Sequence, residues 1–145
     1  MIATPIRASS PSVRKRMQRQ RERDTTLERQ IRSLLHARGL RFYVHRQLLA
    51  DVRREVDIVF PTVRLAVFVD GCWWHGCPQH VTWPKSNAQF WRQKIEANRV
   101  RDIDTTRRLE NEDWRVVRIW EHTTANAAAM LIEANVLDYQ NFRNG

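Results

Sequence analysis

Lysine is nearly missing from this basic chain. It occurs only at Lys15, Lys85 and Lys94, and arginine supplies the rest of the 25 basic residues. Cysteine is as scarce: Cys72 and Cys77 are the only two, too few for the disulfide framework of a small secreted domain. A reducing, cytoplasmic setting is therefore expected. No apolar run approaches the roughly 20 residues that cross a bilayer. The first residues carry scattered arginines without the apolar stretch of a secretory signal. No internal repeat is present.

What remains is 145 residues, 42% hydrophobic, enough for one domain with a real core and too few for two. The net charge of +9 is unevenly placed. Residues 1–46 hold 12 Lys/Arg against 3 Asp/Glu, whereas residues 47–145 hold 13 of each. Guanidinium groups fork onto phosphate oxygens and stack on bases better than ammonium does. A basic front third of this kind points to a polyanion, nucleic acid first. The plainer reading is a solvated, arginine-rich surface.

The chain reads as α/β. Residues 1–23, with Arg14, Lys15, Arg16 and Arg19, lack apolar periodicity and read as a flexible basic arm ahead of a single domain at 24–145. Thr25 to Glu28 is a capping-box pattern. It opens a helix with Leu27, Ile31, Leu34 and Leu35 as its stripe and Gly39 as its stop. Short strands are expected at Phe42–Val44 and Val56–Phe60, and a nearly all-apolar, hence central, strand at Leu65–Val69. Asn87 is placed to cap a helix reaching about Glu110. Trp114–Trp120 alternates as a strand, with Trp114 and Trp120 on one face and assigned to the core. Thr124–Leu137 reads as a last helix.

Chemistry concentrates in Asp70-Gly-Cys-Trp-Trp-His-Gly-Cys-Pro-Gln-His80. Cys72, Cys77 and His80 offer three zinc ligands, and His122, after the Trp114–Trp120 strand, can complete a tetrahedral set. A Cys72–Cys77 disulfide or two reduced thiols fit the same spacing, and His75 competes for ligand duty. Asp57 lies inside the apolar run Val-Asp-Ile-Val-Phe, where a carboxylate needs a partner. That partner is either a metal shared with Asp70 or an arginine such as Arg53 or Arg54, which would leave Asp70 as a turn residue. Carboxylates at adjacent strand ends suit Mg²⁺, an ion that takes oxygen ligands and keeps waters. Trp73, Trp74, Trp91 and Phe90 lie in or beside the loop. Core packing is the ordinary fate of such rings, and a wedge between DNA bases is the alternative.

On these residues the chain resembles the very-short-patch repair (Vsr) endonucleases. The likeness rests on Phe68–Pro78, Arg23–Glu28, Val56–Phe60, Phe90-Trp91-x-x-Lys94-Ile95-x-x-Asn98-x-x-Arg101-Asp102 and Trp114–Glu121, in order, across roughly residues 12–123. The resemblance implies a restriction-endonuclease-like core, a mixed central sheet flanked by helices, with a structural zinc site. It implies Mg²⁺-dependent nicking of one strand 5′ to the thymine of a T:G mismatch left by 5-methylcytosine deamination. Asp57 and the Val69 carbonyl would hold Mg²⁺, and His75 would be the general base. Glu28 would lie near the metal, while Trp73, Trp74 and Trp91 would enter the DNA. A monomer is implied, working with a repair polymerase and mismatch-repair proteins.

The chain departs from the family pattern in two ways. Asp70 stands where a second catalytic histidine is usual, and the zinc ligands are redistributed over Cys72, Cys77, His80 and His122. Besides a small zinc-stabilised structural or regulatory DNA-binding protein, two nearer alternatives remain at this point. One is a catalytically degenerate mismatch- or lesion-binding protein, the other a related nicking or restriction-type nuclease with a matched site.

Overall fold

A computed structural model describes residues 26–71 and 87–144, with side chains described through residue 141. The first described helix, α1, covers residues 26–37. Leu27, Ile31 and Leu35, spaced four apart, form its buried stripe. Gly39, at φ +75°, ends it as the stripe predicted. Gly39 N–H donates to the His36 carbonyl at 2.9 Å and Leu40 N–H to the Leu35 carbonyl at 3.1 Å. These are the paired bonds of a Schellman motif, whose left-handed position suits glycine.

Four strands follow, β1 (Tyr43–Gln47), β2 (Glu55–Phe60), β3 (Leu65–Asp70) and β4 (Arg115–Trp120), in the spatial order β1-β2-β3-β4. The first two pairings are antiparallel and the last is parallel, so the sheet is mixed, as expected. Every residue of β3 is buried, in keeping with the interior place its apolar run predicts. A parallel pair needs a long crossover, and α2 (Ala88–Asn111) lies within it. The last helix, α3 (Ala125–Asn144), runs well past Leu137, because no glycine or proline lies between Leu137 and Asn144 to stop it. Thr124 caps it, accepting from Ala127 N–H on its hydroxyl at 3.1 Å.

Helices cover both faces of the sheet. Leu27, Ile31 and Leu35 of α1 and Ala128, Ala129, Ile132 and Val136 of α3 pack with Ile58, Leu65, Val67 and Ile119. Leu109 of α2 packs on the other face with Val59, Ala66 and Phe68. None of the described helices is long and apolar enough to cross a membrane.

Three local expectations need correction. Asn87 stands at the N-cap of α2 but is left-handed, at φ 55°, and makes no side-chain cap bond. β1 runs three residues beyond Val44, because pairing with β2 carries an exposed, polar stretch that its sequence alone would not extend. Trp114 and Trp120 are only half-buried, and of the two Trp114 alone packs against a core cluster. Trp114 lies at the sheet margin under the Arg64 guanidinium, 4.7 Å from its ring centre.

Candidate active site

Two strand ends and one helix build the site. Asp57 interrupts β2 between buried Val56 and Ile58. Regular alternation slips at this point, since Val56 and Val59 both pack on the α2 side while Ile58 faces α1 and α3. Asp57 Oδ2 accepts from the Val69 N–H at 2.7 Å, tying the carboxylate to β3. Arg54, one of the arginines weighed as its partner, instead pairs with Asp104 and donates to the Thr105 hydroxyl at 2.9 Å.

Burial dominates the electrostatics of Asp57. Loss of hydration pushes its carboxyl up to about 7, helped by the nearby Glu28 and Asp70 charges and opposed by the Val69 N–H and by His45. Glu28, on α1, is likewise raised above the usual carboxylate range by burial. An acid held near neutrality inside a cleft is suited to a cation, whose charge replaces the missing solvent.

Glu28 does come to Asp57, as the resemblance implied, and brings a residue the sequence reading missed. His45 on β1 lies opposite Asp57 and puts Nε2 3.6 Å from Glu28 Oε2. One donor atom each from Glu28, His45 and Asp57 lie within 4.8 Å of one another. Asp70 does not belong to this group. It ends β3, 4% exposed, so it is not a surface turn residue. Its two oxygens accept from Arg118 Nη1 at 3.2 and 3.1 Å. Arg118 also donates to the Thr106 hydroxyl and the Asp102 carbonyl, and lies 4.2 Å over the Phe68 ring.

Asp57, Val69 and Asp70 face a cleft of about 300 Å³ whose walls include Arg53, Arg54, Arg101 and Arg118. Arginines around a half-buried acid can hold phosphate oxygens while the acid holds a metal. Parallel pairing of β3 with β4 sets Asp70 beside Trp120, so Gly71 and His122 leave the sheet at the same end. That is the geometry the zinc expectation required of His122, which is exposed. Cys72, Cys77, His80, His75, Trp73 and Trp74 lie outside the described residues, as do Arg14, Lys15, Arg16 and Arg19. Trp91 is 4% exposed, which makes it a packing residue here, with Phe90 edge-on at 5.0 Å.

Comparison with known proteins gives this arrangement its class. The sequence model described as DNA mismatch endonuclease Vsr matches residues 9–80. A type II nicking enzyme of Xanthomonas oryzae pv. oryzae is 42% identical over 124 residues, 84% of this chain and 89% of the relative. Another type II nicking enzyme, from Lentzea aerocolonigenes, is 42% identical over 108 residues, 73% of this chain and 65% of the relative. The DNA mismatch endonuclease Vsr of Escherichia coli K12 is 35% identical over 103 residues, 68% of this chain and 62% of the relative. The protein is thus a DNA endonuclease. More narrowly, the chain belongs to the Vsr family.

Proposed function

We propose that this endonuclease nicks one strand of duplex DNA on the 5′ side of the thymine in a T:G mismatch, by metal-dependent phosphodiester hydrolysis. The observation that carries the reading is Asp57. A carboxyl raised to about 7, tied to Val69 and facing an arginine-walled cleft, has the character of a metal anchor rather than of an ion-pair partner. Asp57 and the Val69 carbonyl offer oxygen donors that fit Mg²⁺ and stand among the protein ligands. The ion, when bound, neutralises charge that develops on the phosphate.

The chain's own groups supply the rest. His75 takes the proton of the attacking water. Trp73, Trp74 and Phe90 unstack the step beside the mismatch, where the weak T:G pair makes opening less costly. The arginine-rich arm at 1–23 runs along the duplex and binds phosphates. His75→Ala is expected to slow nicking about 10²–10⁴-fold while duplex affinity changes little, measured by gel shift beside the nicking assay.

Specificity has a second reading, because two relatives at 42% identity carry the name of type II nicking enzymes. A strand-labelled T:G duplex compared with its T:A counterpart, in Mg²⁺ with flanking bases varied, decides between them. Preferential nicking of T:G supports mismatch recognition. Equal cutting of the matched duplex overturns it in favour of a matched site. Binding without any nicking would leave only a degenerate, lesion-binding role.

We assign a closed, structural zinc to Cys72, Cys77, His80 and His122, which would fasten the loop to the end of β4. One zinc per chain is expected by metal analysis. Its removal by a strong chelator is expected to lower the thermal midpoint, with recovery on adding zinc back.

A further inference from the structure

Asp57 has a second flank, away from the arginines, and its chemistry differs. There the neighbours are Glu28, whose side chain is 14% exposed, and His45. His45 is flanked by the pairs Val44↔Ile58 and Arg46↔Val56, which set it across from Asp57. Its backbone is left-handed, at φ 52°, an unusual state for a non-glycine residue inside a strand. Nδ1 of the ring is 2.8 Å from Glu55 Oε1, and Nε2 faces Glu28.

That contact pattern sorts the two ring nitrogens. With Nδ1 held by Glu55, Nε2 is the ring nitrogen left to face the half-buried Glu28 and Asp57, and so the atom that would meet an ion. A carboxylate behind a histidine behind a metal is the common way proteins orient an imidazole ligand and raise its basicity. Ligands on opposite sides of a small dication stand about 4.2 Å apart, given bonds of about 2.1 Å. Donor atoms within 4.8 Å of one another therefore close on an ion with small side-chain movements.

We propose that His45 is a ligand of the catalytic dication, and that it makes the site prefer a first-row transition ion, represented by Mn²⁺, over Mg²⁺. Glu28 and Asp57 supply the carboxylates, and Glu55 acts on the ion only through His45, as a positioning residue. Mg²⁺ gains little from an imidazole, whereas first-row dications bind nitrogen as well as carboxylate oxygen. The inference rests on the reading of Asp57 as the metal anchor.

The test uses the full chain freed of loosely bound dications, titrated with Mn²⁺ and followed by electron paramagnetic resonance. Wild type is expected to bind Mn²⁺ at least tenfold more tightly than Mg²⁺, measured by competition, and to show spin-echo modulation from a directly bound nitrogen. His45→Ala, at a side chain 43% exposed and so tolerant of truncation, is expected to lose that modulation. Its Mn²⁺ affinity should fall about 10–100-fold, with a smaller change for Mg²⁺. Glu55→Gln should keep the modulation and weaken Mn²⁺ less. Nitrogen modulation that persists in His45→Ala, or equal affinity of wild type for the two ions, overturns the proposal. Asp57→Asn separates the two levels. Retained Mn²⁺ affinity in that variant overturns the anchor itself, whereas affinity lost there but kept in His45→Ala overturns only the role of His45.

Discussion

Asp57→Asn is expected to abolish nicking and, at the same time, to make the metal-free protein more stable at neutral pH. The two effects have one origin. Burial raises the Asp57 carboxyl from 3.8 to about 7 in the folded state, so the folded chain binds this proton more tightly than the unfolded chain does. Such a group contributes stability that is fully present below the unfolded value and is lost as pH rises through the folded one. The metal-free protein should therefore weaken between about pH 4 and pH 7, by an amount on the order of a few kcal/mol. Asparagine has the same shape, keeps an acceptor for the Val69 N–H and carries no charge. Its denaturation midpoint should fall less over that range, with Glu28 still titrating, and lie above the wild-type value at pH 8. A saturating dication should stabilise wild type and leave the variant unmoved. Loss of the anchor removes several kcal/mol of charge stabilisation at the phosphate, about 10³-fold or more in rate. A variant that nicks at the wild-type rate, or one less stable than wild type at pH 8, would remove Asp57 from the centre of the site.

How far the site was readable in the sequence depends on whether each residue broke a pattern. Asp57 broke one, a charge inside Val-Asp-Ile-Val-Phe, and was found. Glu28 was found through the family likeness, because its place in a capping box explains it equally well. His45 broke nothing: it follows a short run of aromatic and apolar residues among exposed polar ones, and its expected strand stopped one residue earlier. Only the register with β2 sets it against Asp57. Arg118 left a legible signal that went unused. It is an arginine in the middle of Val-Val-Arg-Ile-Trp, and an acid ends the neighbouring apolar strand, so two costly residues answer one another. The central place of β3 followed from its apolar run, whereas the sheet's mixed character was implied only by the family likeness. The length of α3 did not follow, because nothing in composition marks Leu137 as either an end or a continuation.

Asp70→Ala is expected to be the costliest change at the end of the sheet, although Asp70 contributes no donor to the Glu28–His45–Asp57 group. Its side chain is 6% exposed, and both carboxylate oxygens accept from Arg118 Nη1. Truncation leaves the guanidinium, whose side chain is 23% exposed, facing the space the acid filled. Breaking a buried pair from one side costs about 3–5 kcal/mol. The partial exposure of Arg118, its bonds to Thr106 and the Asp102 carbonyl, and the Asp102 carboxylate that stays 3.8 Å from the same Nη1 put the loss at the lower end. For a chain of this length that corresponds to a fall of about 10 °C in thermal midpoint. Asp70→Asn, which keeps the shape and one acceptor, should lose less. The decisive comparison is Asp70→Ala with Arg118→Met in the same chain. Methionine can lie over Phe68 without a charge to satisfy, so the double variant should be more stable than Asp70→Ala alone. A four-cornered set of denaturation midpoints reads this directly, and a double variant that simply adds the two single losses would show that the pair is not coupled. Coupling would mean that an acid at position 70 keeps an arginine bridging β4, β3 and α2 beside the cleft, so that the two residues must change together if either changes.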